Sequence, residues 1–144
     1  MIKVDYPKFD FKIKGEEGKE IIFDEVRKQW VRLTPEEWVR QNMLQYLVQT
    51  LQYPAALIAV EKELKMGELK KRFDILIYNQ QHQPWLMIEC KAMEIALDEN
   101  VLQQIIRYNM AMPVAFMFIT NGTSVFGWDI KTGGKLLERF PNFL

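Results

Sequence analysis

Two apolar runs separated by a short polar connection constrain the fold of this sequence most. The runs cover residues 73–78 and 85–90, and the connection covers residues 79–84. This pattern predicts a β-hairpin with a loose turn. Asp74 lies near the start of the first run and Glu89 near the end of the second. Antiparallel pairing would therefore bring the two carboxylates to the same end of the hairpin.

A lysine joins this pair of acids. Lys91 follows Glu89 by two positions, so both side chains face the same side of the strand, while Ile88 and Cys90 face the other. Burial of an unpaired carboxylate costs on the order of several kcal/mol, so a cation must compensate the acids. A salt bridge to Lys91 and a hard divalent metal such as Mg²⁺ both meet this need, and the pattern leaves both open.

The same residues resemble a known signature. Asp74, a gap of fourteen residues and then Glu89-Cys90-Lys91 resemble the PD-(D/E)XK nuclease superfamily in its E-x-K form. More closely, residues 33–122 resemble the N-terminal nuclease domain of type I restriction enzyme R subunits, in its small stand-alone form. Phe73 departs from the signature, which often has proline before the aspartate. The segments that carry the resemblance are 34–41, 71–74, 88–92, 104–109 and 120–122.

The resemblance implies a fold and a chemistry. The fold is a restriction-endonuclease-like α/β domain, with an αβββαβ core around a central mixed sheet and a hairpin added at each end. The implied reaction is hydrolysis of phosphodiester bonds in nucleic acid, with DNA favoured over RNA as the substrate and Mg²⁺ or Mn²⁺ as the cofactor. Asp74 and Glu89 would hold the metal, Lys91 would position the attacking water, and Gln104 would orient Lys91 or the scissile phosphate. Implied partners are DNA and a separate motor or specificity protein, and a homo-oligomer is allowed.

Several other residues are candidates for supporting roles. Tyr108 follows Gln104 by four positions, so both face one side of a helix. Glu37 would supply an acid from the first helix, although a capping box with Thr34 also explains it. Glu63 would reach the same cleft or lie in solvent as an ordinary strand residue. Four basic residues either contact nucleic acid or form a solvated charged face: Lys70, Lys71, Arg72 and Arg107.

The order of elements follows from local signals. We expect one domain over residues 1–144, with an N-terminal hairpin extension (1–33), a core (34–122) and a C-terminal hairpin (123–144). Thr34 and Pro35 predict a helix that starts there and ends near Gln52, because Pro54 prevents its continuation. The other predicted elements are strands at 9–13 and 21–23, a turn or short helix at 24–30, strands at 55–64, 70–78, 85–90 and 114–120, a helix at 97–110, and strands at 124–129 and 135–137.

Composition narrows the possible functions. The 19 basic and 19 acidic residues cancel, whereas a dedicated nucleic-acid-binding protein is typically basic. A single cysteine, Cys90, and a single histidine, His82, exclude a disulfide framework and a zinc site within one chain. With no leader peptide and no long apolar run, we expect a soluble, cytoplasmic protein. The neutral charge and the absence of a P-loop motor motif favour a catalytically silent nucleic-acid-binding or protein-interaction module, whereas the complete set of two acids and a lysine favours an enzyme.

Overall fold

The computed structural model describes residues 1–143, which form two β-sheets and two α-helices. A π-helical turn, Tyr46–Thr50, and a 3-10 turn, Ala55–Leu57, connect the first helix to the strand that follows. In chain order the elements are β1 (Ile13–Glu16), β2 (Lys19–Asp24), β3 (Gln29–Arg32), α1 (Pro35–Gln45), β4 (Ile58–Met66), β5 (Leu69–Tyr78), β6 (Pro84–Cys90), α2 (Glu99–Asn109), β7 (Phe116–Thr120), β8 (Val125–Asp129) and β9 (Lys135–Leu136).

The larger sheet is mixed and has six strands in the order β4-β5-β6-β7-β8-β9. All neighbouring pairs are antiparallel except β6 and β7, which are parallel and joined through α2, as a parallel pair requires a crossover connection. This confirms the predicted α/β fold with a central mixed sheet, and the predicted hairpin of β5 and β6 is present. The predicted C-terminal hairpin, β8 with β9, extends the same sheet.

The N-terminal extension differs from the predicted hairpin, because it is a three-stranded antiparallel sheet. Its additional strand, β3, occupies part of the segment expected to be a turn or short helix. Asp24 accounts for the difference, since its Oδ1 accepts hydrogen bonds from the backbone N–H groups of Val26 and Arg27. Lys28 then adopts a positive φ of 56°, which closes a tight turn instead of a helix.

The start of α1 agrees with the sequence signal. Thr34 Oγ1 accepts a hydrogen bond of 3.0 Å from the backbone N–H of Glu37, and Pro35 occupies the first turn. In the same way, Asp98 caps α2 by accepting from the backbone N–H of Val101 at 2.9 Å. These caps fix where each helix begins relative to the end of the preceding strand.

The core lies on both faces of the larger sheet. On one face Val39 and Met43 of α1, and Leu47 of the π-helical turn, pack against the sheet in one cluster with Ile77 and Ile88. On the other face, buried side chains including Leu76, Met87 and Met117 pack together, with Ile106 of α2 at the edge of that cluster. The sheet therefore separates the two helices, and its apolar strands are covered on both sides.

Side chains along β5 alternate between the two faces of the sheet, but this alternation is interrupted at Asp74. Phe73 packs on the α2 face and Ile75 on the α1 face, although residues two apart in a regular strand share one face. Leu76 and Ile77 then alternate normally along the rest of the strand. The irregularity is therefore confined to Asp74 and its immediate neighbours.

The neighbouring strand changes phase at the same level. Val60 packs on the α1 face and Leu64 on the α2 face of β4, and Glu61 between them has a positive φ of 52°. The pairs Val60 with Ile75 and Lys62 with Phe73 keep one register across this point. Glu61 and Asp74 are thus opposite each other, and they are the irregular residues of two strands that otherwise keep one register.

Among residues 1–143, no helix is both long enough and apolar enough to cross a membrane.

Candidate functional site

Asp74 and Glu89 come together at one end of the β5–β6 hairpin. Ile75 pairs with Ile88, so the next opposite positions in this register are Asp74 and Glu89. Burial and then the negative charge of Asp74 raise the pKa of Glu89. The two acids therefore lie at the same end of the hairpin, as antiparallel pairing of the two apolar runs requires.

Two donors hold the Asp74 carboxylate in place. Its Oδ2 accepts a hydrogen bond of 2.8 Å from the backbone N–H of Cys90, and its Oδ1 accepts one of 3.3 Å from Arg40 Nη1. Arg40 lies on α1 and is 5% exposed. The protein cation that pairs with Asp74 is therefore this buried arginine, which the sequence pattern did not indicate, and not Lys91.

Glu89 is poorly compensated by comparison. The nearest salt-bridge partner of its carboxylate is Lys91, whose Nζ lies 3.9 Å from Oε1. Lys71 and Lys91 lower the pKa of Glu89, but burial and Asp74 outweigh them, so the pKa stays above its ordinary value of 4.5. The backbone N–H of Lys91 donates to Thr120 O at 2.8 Å, which fixes the start of the lysine against β7. A salt bridge to Lys91 alone therefore does not balance the charge of this pair.

Glu36, on the first turn of α1, is a third acid that is coupled electrostatically to Asp74, and it was not predicted from the sequence. Its side chain is exposed, and partial desolvation and then the charge of Asp74 raise its pKa, while Arg40 and Lys91 lower it. A usable signal was present, because Glu37 and Arg40 are three residues apart on one helix face and would pair. That pairing leaves the adjacent Glu36 as the acid of the first turn available to the site.

Glu37, the predicted accessory acid, lies instead in a buried ion-pair network. Its carboxylate accepts hydrogen bonds from Arg40 at 2.9 Å and 3.0 Å, from Arg27 at 3.1 Å and from Gln41 at 3.0 Å. Burial alone would raise the pKa of Glu37, but the hydrogen bonds from Arg40 and Gln41 hold it below its ordinary value. These contacts give Glu37 a structural role in this network, the alternative to the accessory role that the sequence left open.

On β4 the acid nearest the site is Glu61 and not Glu63. Glu63 is exposed and lies opposite Arg72 in the register. Glu61 Oε1 accepts from Arg40 at 3.2 Å, and its Oε2 accepts from the exposed Arg72 at 2.9 Å. Lys70, one of the predicted nucleic-acid contacts, is exposed at the start of β5. Arg40 thus joins Glu61 to Asp74 at the point where both strands change phase.

The residues predicted on α2 line a separate shallow cavity beside the site. Gln104, Arg107 and Tyr108 border a space of about 420 Å³ together with Asn100 and Gln103. Within residues 1–143, no hydrogen bond or salt bridge connects Gln104 to Asp74, Glu89 or Lys91.

Lys71 links the α2 cavity to the acids. Its Nζ lies 4.8 Å from the centroid of the Tyr108 ring and 5.9 Å from that of Phe73, and its charge lowers the pKa of Glu89. Lys71 is only 8% exposed, so it is not part of the solvated charged face predicted for its neighbours. Tyr108, by contrast, is 69% exposed and presents an open ring edge to solvent.

The acids fit a hard divalent cation. Asp74 and Glu89 offer carboxylate oxygens, and the salt-bridge partner of Glu89, Lys91 Nζ, lies 3.9 Å from its Oε1. No cluster of three or more His, Cys, Asp or Glu side chains in residues 1–143 has the arrangement of a complete metal cage. Asp74 and Glu89 are therefore the residues that could hold a divalent cation, with water completing the coordination.

Comparison with known proteins identifies one family. Residues 35–143 match the family model described as type I restriction enzyme R protein N terminus (HSDR_N). A solved structure, the fragment of a putative HsdR subunit of a type I restriction enzyme from Vibrio vulnificus YJ016, is similar with 24% identity and a TM-score of 0.41. The alignment covers 59% of this chain and 19% of that one, so the chain spans about a fifth of that protein fragment. No curated protein matches the sequence.

Proposed function

Because the chain belongs to the family of type I restriction enzyme R protein N termini, we propose that it is a metal-dependent nuclease that hydrolyses phosphodiester bonds in DNA. The observation that carries the proposal is the position of Asp74 and Glu89 at the same end of the hairpin, with the salt-bridge partner of Glu89, Lys91 Nζ, as far as 3.9 Å from its carboxylate. A purely structural ion pair would gain stability from a closer cation, whereas a metal site needs this excess of negative charge. Family membership also supports DNA and the other restriction subunits as partners.

Each residue of the site has a role in this proposal. A bound Mg²⁺ or Mn²⁺ would supply Lewis-acid chemistry and lower the pKa of a coordinated water. The backbone N–H of Cys90 and the guanidinium group of Arg40 both donate to Asp74, so that its carboxylate is held ready for the metal. Lys91, 36% exposed and 3.9 Å from Glu89, would hold water against the phosphate and stabilise the developing negative charge. Gln104 would contact the phosphate from the α2 side.

One observation favours a second function, a catalytically silent module that binds DNA or a protein. Arg40 already donates to Asp74 at 3.3 Å and so neutralises part of the charge that would attract a metal. In a silent module Arg40 would keep Asp74 paired permanently. In the nuclease, Arg40 only orients the carboxylate and leaves Glu89 for the cation.

Substitution of Lys91 tests the proposal. Lys91→Ala should retain metal binding, measured by calorimetry, and a melting curve within about 1–2 kcal/mol of wild type. Cleavage of plasmid or single-stranded DNA with Mg²⁺ or Mn²⁺ should fall by orders of magnitude, because the group that stabilises the phosphate charge is removed. The matched control is Lys131→Ala, an exposed lysine of the C-terminal region, which should cleave like wild type.

Two results would reject the nuclease. A folded Lys91→Ala variant as active as wild type would remove the proposed mechanism. A wild-type protein that binds neither metal and cleaves none of these substrates would establish the silent module instead. If Lys91 served only as a structural counter-ion, Lys91→Ala would instead destabilise the fold by about 3–5 kcal/mol.

A further inference from the structure

The N-terminal sheet has one buried face and one basic, aromatic face. On the buried face Ile22 and Asp24 are both 0% exposed. Side chains alternate along each strand, and the pairs Lys14 with Ile21 and Phe23 with Trp30 place the remaining side chains on the opposite face. We call this opposite face the basic sheet face; its residues are Lys12, Lys14, Lys19, Phe23, Trp30 and Arg32.

Contacts across the strands confirm that these side chains share one surface. Lys14 Nζ lies 4.3 Å from the centroid of the Trp30 ring, and Lys12 Nζ lies 5.5 Å from that of Phe23. The Phe23 and Trp30 rings meet edge to face, with centroids 5.5 Å apart. Trp30 remains 39% exposed, so part of its ring is open to a ligand.

The charge of this face differs from that of the whole chain. Its four cations are all exposed, whereas the whole chain has no net charge. Among the strand residues 12–32, Glu16 is the one acid on this side, because Glu20 and Asp24 alternate to the other. A surface of lysines and arginine around the exposed Trp30 ring and the half-buried Phe23 ring matches a phosphate backbone with unstacked bases.

We propose that the basic sheet face binds single-stranded nucleic acid, with a base stacked on Trp30 and phosphates on Lys12, Lys14 and Arg32. Single strands are favoured over duplexes, because a paired base offers no free ring face to Trp30. Arg32 precedes Glu36 by four residues, a span of at most about 14 Å of extended chain. The face therefore ends within about 14 Å of Glu36, and its use in guiding a strand to the acids rests on the proposed nuclease function.

Binding is tested with the whole chain in EDTA, using a fluorescent oligothymidylate and anisotropy. Trp30→Ala should weaken binding by about 5- to 150-fold, which corresponds to one stacked base. Lys14→Ala should reduce the slope of log K against log salt by about 0.7 for each phosphate that the protein no longer neutralises. Lys135→Ala, an exposed lysine on β9, is the matched control and should leave both quantities unchanged. Trp30→Phe keeps an aromatic ring for stacking, so it is the second variant to test if Trp30→Ala does not fold.

Several results would overturn the proposal. One is a folded Trp30→Ala protein that binds with the affinity of wild type, and another is a folded Lys14→Ala protein that keeps both the affinity and the salt slope of wild type. Polyglutamate that competes as well as the oligonucleotide would assign the face to an acidic protein partner. Since the assay contains no metal, a protein that binds but never cleaves fails only as a nuclease. A protein that cleaves, but binds without regard to Trp30 and Lys14, fails only this inference.

Discussion

Two groups of carboxylates meet at Arg40 and differ in how their charge is balanced. In the buried network, Asp24 and Glu37 receive hydrogen bonds from Arg27, Arg40 and Gln41. Burial would raise both acid pKa values, but these bonds hold them below their ordinary range. Every acid of this network is matched by a cation or an amide, as buried charge requires.

The hairpin site has the opposite balance. The pKa values of Glu36 and Glu89 are raised, because burial and the nearby Asp74 outweigh Arg40 and the lysines. The two groups are built from the same residue types and share Arg40, so composition does not distinguish them. What distinguishes them is compensation: a balanced group stabilises the fold, whereas an unbalanced one is a candidate for binding a cation.

The largest stability effect should come from breaking the balanced network. Arg40→Ala leaves Glu37 buried without its main partner, so we expect a loss of about 3–5 kcal/mol in unfolding free energy, measured by urea titration. Arg72→Ala is the matched control: its side chain is 64% exposed and pairs with Glu61, so about 0.2–1 kcal/mol is expected. Equal effects of the two substitutions would show that the network does not stabilise the fold more than a surface ion pair does.

The same substitution, glutamate to glutamine, should change the free energy of unfolding in opposite directions in the two groups. Glu37→Gln removes a charge that two arginines balance and should cost about 1–3 kcal/mol. Glu89→Gln removes a charge that Asp74 repels and should leave the metal-free protein at pH 7 as stable or more stable. Both variants are compared with wild type by thermal unfolding in EDTA. A destabilised Glu89→Gln protein would mean that Lys71 and Lys91 compensate Glu89 fully.

The smallest effect is the pH dependence of stability without metal. The raised pKa values of Glu36 and Glu89 give a stabilisation that is complete below pH 4.5 and is lost as pH rises through their folded values. The lowered values of Asp24 and Glu37 give a stabilisation that is present above their ordinary pKa values of 3.8 and 4.5 and is lost as pH falls through the folded values.

Stability should therefore rise on mild acidification from pH 7 and fall at stronger acidity. Urea midpoints across this range provide the measurement. Glu89→Gln should show a smaller rise with an unchanged acid limb, since the Asp24 and Glu37 groups are untouched. A wild-type curve that falls steadily from neutral pH would contradict the unbalanced charge of the hairpin site.

The elements with local signals could be predicted from the sequence. Thr34 and Pro35 marked the start of α1, and the apolar runs marked β5 and β6 together with the meeting of their acids. The strand β3 was not predicted, because the turn before it depends on the Asp24 side chain and not on a glycine or proline. A polar side chain that builds a turn leaves little trace in hydrophobic patterning.

The parts of the site that were missed depend on packing between distant segments. Arg40 lies 34 residues before Asp74, and nothing in a helical sequence shows which arginine is buried beneath a strand. Glu36 and Glu37 are chemically identical neighbours, but Glu37 is buried against Arg40 and Arg27 whereas Glu36 is exposed. Strict alternation also failed for β5, since it would place Phe73 and Ile75 on one face.

That change of phase means that Glu61 and Asp74 behave as one residue inserted into each of two regular strands. With both removed, Val60 would adjoin Lys62 and Phe73 would adjoin Ile75, and the present pairs would stay in register. Neighbours would then alternate between the faces that they already occupy. The β4–β5 ladder would be shorter by one residue pair. The site would lose Asp74, and the core would not need to rearrange.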